Sequence, residues 1–280
     1  MKRLVYSILV FCFSASLMGC ANDQFAIEKE FWRLQKQASK IFTNPDATPP
    51  RELETAVNKF DAFAKKYPQN YLAIEAEFNI ARLYLAKKEF DNASAKLNSI
   101  IKKYTKSAVV CSEAEFLIGN SYELANNWGL ALQQYKKLIQ DYAVTPRGLG
   151  LPIYIAQQYE TKYQPDKMLE AYQEAIAHYR ELALKYPDSP LAYNAHSLVA
   201  KCYIVIKDWQ NAVNSLKTIT EKYKGKVALD GVLMNMAMIY DKQLNDKVRA
   251  KEALEQLKKE YPQSRLVKAA TTLLSKLGVK

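Results

Sequence analysis

The amino-acid sequence predicts an all-α protein: a solenoid of about six helical hairpins plus a C-terminal capping helix. Glycine is scarce, 8 residues in 280, which argues against nucleotide-binding loops and against sandwiches and barrels rich in β-turns, all of which need residues tolerant of positive φ. Helix stops marked by tyrosine recur at Tyr67, Tyr104, Tyr142, Tyr186, Tyr223 and Tyr261, spaced by 37, 38, 44, 37 and 38 residues. That regularity means one supersecondary unit copied along the chain. Within a unit, apolar residues return at i, i+3, i+4 and i+7, as in Ile80, Leu83 and Tyr84 and then Phe90, Ala93, Leu97 and Ile100. This is the period of two consecutive amphipathic helices, and no alternating strand pattern follows the first twenty residues.

The elements run as follows. Residues 1–19 have a basic start (Lys2, Arg3) and an apolar run from Leu4 to about Phe13, the layout of an export leader too short to be a good membrane span. Leu17-Met18-Gly19-Cys20 resembles a bacterial lipobox, with Met18 departing from the commoner small residue. The resemblance implies cleavage before Cys20 and lipid attachment to it, and Ala21 suits sorting to the outer membrane. Residues 20–25 then form a lipidated tether, and 26–280 the repeat domain.

In that domain, 26–42 is read as the first helix, Asn44-Pro45 to Pro49-Pro50 as a loop, and 51–66 as its partner helix with Ala56, Phe60 and Phe63. Four further hairpins pair a small residue and a tyrosine in the first helix with alanine in the second: Ala81, Tyr84 and Ala93; Gly119, Tyr122 and Ala131; Ala200, Tyr203 and Ala212; Ala237, Tyr240 and Ala250. Small residues allow two helices to cross closely. In another hairpin, seven extra residues separate Ala156 and Tyr159 from Ala175, and Pro165 serves as the first residue of a lengthened second helix. Arg147-Gly148-Leu149-Gly150-Leu151-Pro152, where two of the eight glycines fall, is read as an inter-repeat turn. A last amphipathic helix over about 264–277 caps the final apolar face, as a solenoid requires.

These small-residue, aromatic and alanine positions resemble the tetratricopeptide repeat, and the resemblance covers residues 26–280. It implies a groove lined by the first helix of each hairpin. The matching positions are Phe78 and Arg82; Phe116, Asn120 and Glu123; Ile153, Gln157 and Glu160; Ser197 and Lys201; Met234 and Met238. Aromatic and methionine anchors among a few charges suit an extended peptide or helix of a partner protein. The basic and asparagine pattern of the clamps that grip C-terminal carboxylates is absent.

No motif for catalysis, nucleotide or metal is found: HExxH, CxxC, Walker A, GxGxxG and GxSxG are all missing. The chain is therefore expected to be no enzyme and to need no cofactor and no metal. His178 and His196 stand singly. The net charge of +11 does not imply nucleic acid in an exported chain, and Lys102-Lys103, Lys136-Lys137 and Lys258-Lys259 are read as complements to helix C-terminal dipoles. Cys12 and Cys20 belong to leader and anchor; Cys111 and Cys202 are read as two buried thiols too far apart to bridge.

A lipobox followed directly by such repeats resembles two groups of bacterial envelope proteins. One is the BamD-like outer-membrane lipoproteins, which implies a scaffold in β-barrel protein assembly. The other is the CpoB (YbgF) group, which implies an adaptor between the Tol–Pal system and peptidoglycan synthesis. The BamD-like reading is preferred, because the repeats begin directly after the anchor with no coiled coil between. It implies an outer-membrane location facing the periplasm, with envelope proteins as partners and no small-molecule substrate.

Overall fold

Every second helix of the chain ends on one of the six spaced tyrosines. In the computed structural model, which describes residues 24–278, thirteen helices and no strand lie among the described residues. They are α1 (24–43), α2 (Pro50–Lys66), α3 (Tyr71–Ala86), α4 (Phe90–Lys103), α5 (Ala108–Leu124), α6 (Trp128–Asp141), α7 (Pro146–Thr161), α8 (Pro165–Lys185), α9 (Pro190–Val205), α10 (Trp209–Lys222), α11 (Asp230–Lys242), α12 (Lys247–Glu260) and α13 (Val267–Leu277). The leader, Cys20 and the start of the tether lie outside the described residues. The chain divides into two compact units, Met1–Arg147 and Gly148–Lys280.

The hairpin code is local. Tyr67, Tyr104, Tyr142, Tyr186, Tyr223 and Tyr261 are the C-caps of α2, α4, α6, α8, α10 and α12, each donating its backbone N–H to the carbonyl four residues back. Polar residues then restart the chain: Asn70, Ser107 and Ser189 cap α3, α5 and α9 by accepting from backbone N–H groups, and Asn127, Asp208 and Asp246 do so for α6, α10 and α12. Each such cap satisfies an otherwise orphaned donor.

The turns inside the α3–α4, α5–α6, α7–α8 and α9–α10 hairpins each depend on a left-handed residue. Lys88, Asn126, Tyr163 and Lys207 have φ of 59°, 58°, 55° and 60°. The following N–H donates back to the tyrosine carbonyl of the first helix, from Glu89 to Tyr84, Asn127 to Tyr122, Gln164 to Tyr159 and Asp208 to Tyr203, at 2.8–2.9 Å. This is the Schellman closure, usually made with glycine. Scarce glycine thus does not mark an absence of positive φ; lysine, asparagine and tyrosine occupy it instead.

Close helix crossings follow the expected small residues. Ala81, Ala156, Ala200 and Ala237 on the first helices and Ala93, Ala131, Ala175, Ala212 and Ala250 on the second are all buried. In the first unit Phe31, Phe60, Phe63, Leu72 and Ile80 form one apolar cluster, and Phe78, Leu97, Ile100, Leu117 and Ile118 a second. In the second unit α8 runs 21 residues against 14 for α10 and α12, the expected two extra turns, with Pro165 in its first turn. The capping helix begins three residues later than expected, because Ser264 takes the Leu266 N–H and donates to Asp230.

The glycine cluster is the main departure. Arg147–Pro152 is not a turn but the first two turns of α7, and the connection lies earlier, where the Thr145 N–H and hydroxyl both donate to the Tyr142 carbonyl. Pro152 sits inside the helix, where its ring removes one hydrogen bond and crowds the carbonyl four residues back. That carbonyl belongs to Gly148. The fully buried Tyr179 of α8 reaches this stretch, its hydroxyl donating to the Leu149 carbonyl at 2.6 Å. A side chain thus adds a contact next to the rung that Pro152 removes. Burial, with Cys202 nearby, pushes the Tyr179 hydroxyl pKa well up, so it stays a donor.

The lysine clusters also resolve. Lys102 and Lys103, and Lys258 and Lys259, lie in the last turns of α4 and α12, as the dipole reading expects. Lys136 and Lys137 lie further in, and Lys137 instead pairs with Glu115 of α5 at 3.8 Å.

Candidate functional site

The exposed side of α3 and α5, with Arg147 at the start of α7, all within the first unit, carries a run of charged and aromatic side chains. Glu75, Phe78 and Arg82 recur at helical spacing along α3, and Glu113, Phe116 and Asn120 along α5. Glu113 lies at the centre. Its carboxylate accepts from Arg147 Nε and, at 3.0 Å, from Arg147 Nη2, while Arg82 Nη2 stands 3.5 Å away. Arg82 Nη1 reaches Glu75 at 3.4 Å. The two guanidiniums lie over rings, Arg147 at 4.0 Å from the Phe116 centroid and Arg82 at 5.5 Å from that of Phe78.

This face is built for contact more than for stability. The Arg82 and Arg147 side chains keep 34% and 41% of their exposure, and exposed ion pairs contribute only about 0.2–1 kcal/mol each. Arg147 is gripped in the two-bond geometry that orients a guanidinium. Arg82 is held loosely, its contacts at the long limit of hydrogen bonding, so its donors remain open to an incoming carboxylate or carbonyl. Behind the face, Phe116 stacks on Tyr135 of α6 with centroids 5.7 Å apart, and the Tyr135 hydroxyl donates to Glu123 at 2.6 Å.

The opposite side of α3 makes a buried counterpart that is structural. Glu77 accepts from Lys103 at 2.6 Å, Lys96 at 3.0 Å and Tyr104 at 3.2 Å. Burial alone would raise its pKa, but the two lysines outweigh that and hold the carboxyl below its ordinary range. Glu30 repeats the device in the first hairpin, accepting from Lys66 at 2.9 Å and Tyr67 at 2.7 Å.

The groove positions expected from sequence divide accordingly. Arg82, Phe116 and Asn120 lie on this face, half-buried. Phe78 is buried to 2% exposure in the second apolar cluster and offers only its cation–π contact, a correction whose cause is its packing against α4 and α5. Glu123 turns toward Tyr135. In the second unit Gln157 and Glu160 on α7 and Lys201 on α9 are exposed, and Ser197 is half-buried. Met238 on α11 is 51% exposed, whereas Met234 and Ile153 are buried and belong to the core.

Glu113 and Arg147 were not among the expected positions. Glu113 reads in sequence as one of many solvated carboxylates, and Arg147 as part of a turn. A usable signal was present: Thr145-Pro146 matches Ser189-Pro190, which opens α9 with proline at its first position.

Among the described residues no group of three His, Cys, Asp or Glu side chains could hold a metal ion, and no helix is long and apolar enough to cross a membrane. His178 and His196 are half-buried, and burial lowers both pKa values. Cys111 and Cys202 are free and buried, as expected, and burial pushes the Cys202 thiol up to about 12.

Three of the hairpins, α3–α4, α5–α6 and α11–α12, match a family profile over residues 75–107, 113–143 and 232–264, that of the tetratricopeptide repeat. These three hairpins are tetratricopeptide repeats. Similar solved structures include the TPR2AB domain of yeast Sti1, described in complex with pHSP90, at 15% identity over 90% of this chain and 100% of that one, TM-score 0.33. BtubC (BKLC) from P. vanneervenii is 12% identical over 88% of this chain and 92% of its own, TM-score 0.42. YrrB, described as a TPR protein with an unusual peptide-binding site, is 18% identical over 76% and 99%, TM-score 0.37. No curated protein matches the chain. In the two first-unit repeats matched by the profile, the charged and aromatic face lies on the first helices, α3 and α5, with Arg147 added from α7.

Proposed function

We propose that this protein is a non-catalytic scaffold that binds a partner protein on the α3–α5 face, tethered to the outer membrane by lipid at Cys20, and that it serves β-barrel protein assembly in the manner of the BamD-like lipoproteins. The observation that carries the binding role is the Arg82–Glu113–Arg147 chain over Phe78 and Phe116. It presents oriented guanidiniums and an apolar ring on a rigid helix face, without the burial that a purely structural network such as that of Glu77 has. An extended segment carrying carboxylates and an apolar side chain would pair with the arginines and lie on Phe116. The lipobox resemblance at Leu17–Cys20 supports the tether.

The test is crosslinking in the native envelope from a photoreactive residue at Asn120, with Arg147→Ala as the comparison. The expected result is capture of a barrel-forming insertase or of unfolded barrel proteins. Arg147→Ala should lower capture about tenfold, the equivalent of about 1.4 kcal/mol, with the thermal midpoint nearly unchanged. Capture of septal synthases instead would move the protein to the CpoB-like adaptor role, and undiminished capture by Arg147→Ala would remove this face from binding. Fatty-acid labelling of wild type and Cys20→Ser tests the tether separately.

A further inference from the structure

We infer that the outer face of α1 lies on an anionic lipid surface, through aromatic and basic side chains that the repeat architecture leaves unused. α1 buries Phe31, Ala38 and Ile41 against α2, and Phe31 meets the Phe60 and Phe63 rings at 6.1 and 5.3 Å. On its opposite side Phe25 and Trp32 remain 65% and 57% exposed. Lys29 and Lys36 recur on the same stripe, their ammonium groups 6.0 Å and 5.1 Å from the Phe25 and Trp32 centroids. Arg33 and Lys40 flank it, both exposed. Of the two acids of α1, Glu30 is turned inward to Lys66 and Tyr67, while the exposed Glu28 accepts from Gln24 at 2.8 Å, which leaves four basic side chains against one exposed acid.

Charge complementarity selects the occupant. Exposed tryptophan and phenylalanine beside lysine and arginine suit the boundary between headgroup and acyl chain, where rings sink into the interface and the long cationic side chains reach phosphate. Each basic residue near an anionic bilayer adds about as much attraction as a weak contact, and several act together. A groove of about 650 Å³ opens beside Trp32, lined by apolar Ala38, Ile41 and Phe60 and by Lys36, Lys40 and Lys59, with Glu52 its one acid. Around the groove four basic side chains, Arg33, Lys36, Lys40 and Lys59, stand against one acid, Glu52, a balance that favours an anionic surface. The inference uses the proposed lipid tether only as a setting: α1 begins four residues after Cys20, so an anchored chain would hold this helix near the bilayer.

The experiment uses the full chain mixed with vesicles of phosphatidylglycerol or of phosphatidylcholine, each with brominated acyl chains, and reads tryptophan emission. In phosphatidylglycerol, wild type should show quenching and a blue shift that Trp32→Phe loses, the difference between the two isolating Trp32 from Trp128 and Trp209. Replacing Lys29, Arg33, Lys36 and Lys40 together by Gln should weaken vesicle binding at least about a hundredfold and abolish the Trp32 quenching, and raised salt should act in the same direction. Equal quenching in wild type and Trp32→Phe overturns the inference, as does equal Trp32 quenching in both lipids. Loss of acyl labelling at Cys20 with Trp32 quenching retained would refute the tether and leave the α1 surface standing.

Discussion

Gly119 is where one side chain dictates its neighbour. A Cβ built there would lie 2.2 Å from Tyr135 Cε1 and 2.6 Å from Cδ1, and Tyr135 cannot retreat because it is fully buried, stacked on Phe116 and bonded to Glu123. The other hairpins place alanine at the Gly119 position, and three of them place leucine, at Leu97, Leu216 and Leu254, where the second helix here has Tyr135. Gly119→Ala should therefore destabilise by about 1–3 kcal/mol, an overpacking cost. Gly119→Ala with Tyr135→Leu should cost less than the sum of the two single changes, because the pair restores the combination of the other repeats. Urea midpoints of the four proteins check this, and additivity would show that the ring moves freely. Tyr179 stands at the same register in the next hairpin and meets its own solution, the Pro152 break in α7. Tyr179→Phe leaves the Leu149 carbonyl buried without that donor, so a loss of about 1–3 kcal/mol is expected by thermal or urea unfolding, with the helix content unchanged in circular dichroism.

At the scale of the element, the hairpin turns carry strain that could be relieved. A left-handed residue other than glycine costs about 1–2 kcal/mol, and Lys88 and Lys207 hold that conformation with side chains exposed. After the entropy that glycine loses on folding, Lys88→Gly and Lys207→Gly should each raise stability by about 0.5–1 kcal/mol, and their effects should add because they lie in different units. Calorimetry of the single and double variants checks both points; a decrease would mean that the lysines hold the turns through contacts of their own. These turns also show what sequence could reveal. The stops at six tyrosines, the small crossing residues and the lengthened α8 were legible because each is encoded within a few residues. The left-handed turns were not, since lysine at such a site has no compositional mark. The start of α7 was not legible because Gly148, Gly150 and Pro152 act as breakers in isolation, whereas here Tyr179, 27 residues beyond Pro152, adds a hydrogen bond to the Leu149 carbonyl. For the same reason the candidate site was half legible: Arg82 and Phe116 follow from repeat register, but the Glu113–Arg147 pairing spans 34 residues and two repeats, and exists only once the hairpins stack.

For the whole molecule the decisive property is that contacts between the described helices run chiefly between neighbours. Each described helix of α9–α13 packs on the one before it, and in such arrays stability is approximately a sum of repeat terms and nearest-interface terms. α13 ends the series: it buries Ala270 and Leu277 and half-buries Leu273 and Leu274 while resting on α12. Removing residues 266–280 should strip the cover from α12 and lower the protection of α11 and α12 amides in hydrogen exchange first. The effect should fade along α10 and α9, because each interface transmits only part of the loss. Amides of α3–α6, which belong to the other compact unit, should exchange at the rates of the full chain. A uniform loss of protection across both units would instead mean that the chain unfolds as one cooperative body, and the binding face on α3 and α5 would then depend on the C-terminal cap. If the loss stays local, that face is stable without α13, and truncated chains should still be captured by the partner that the full chain binds.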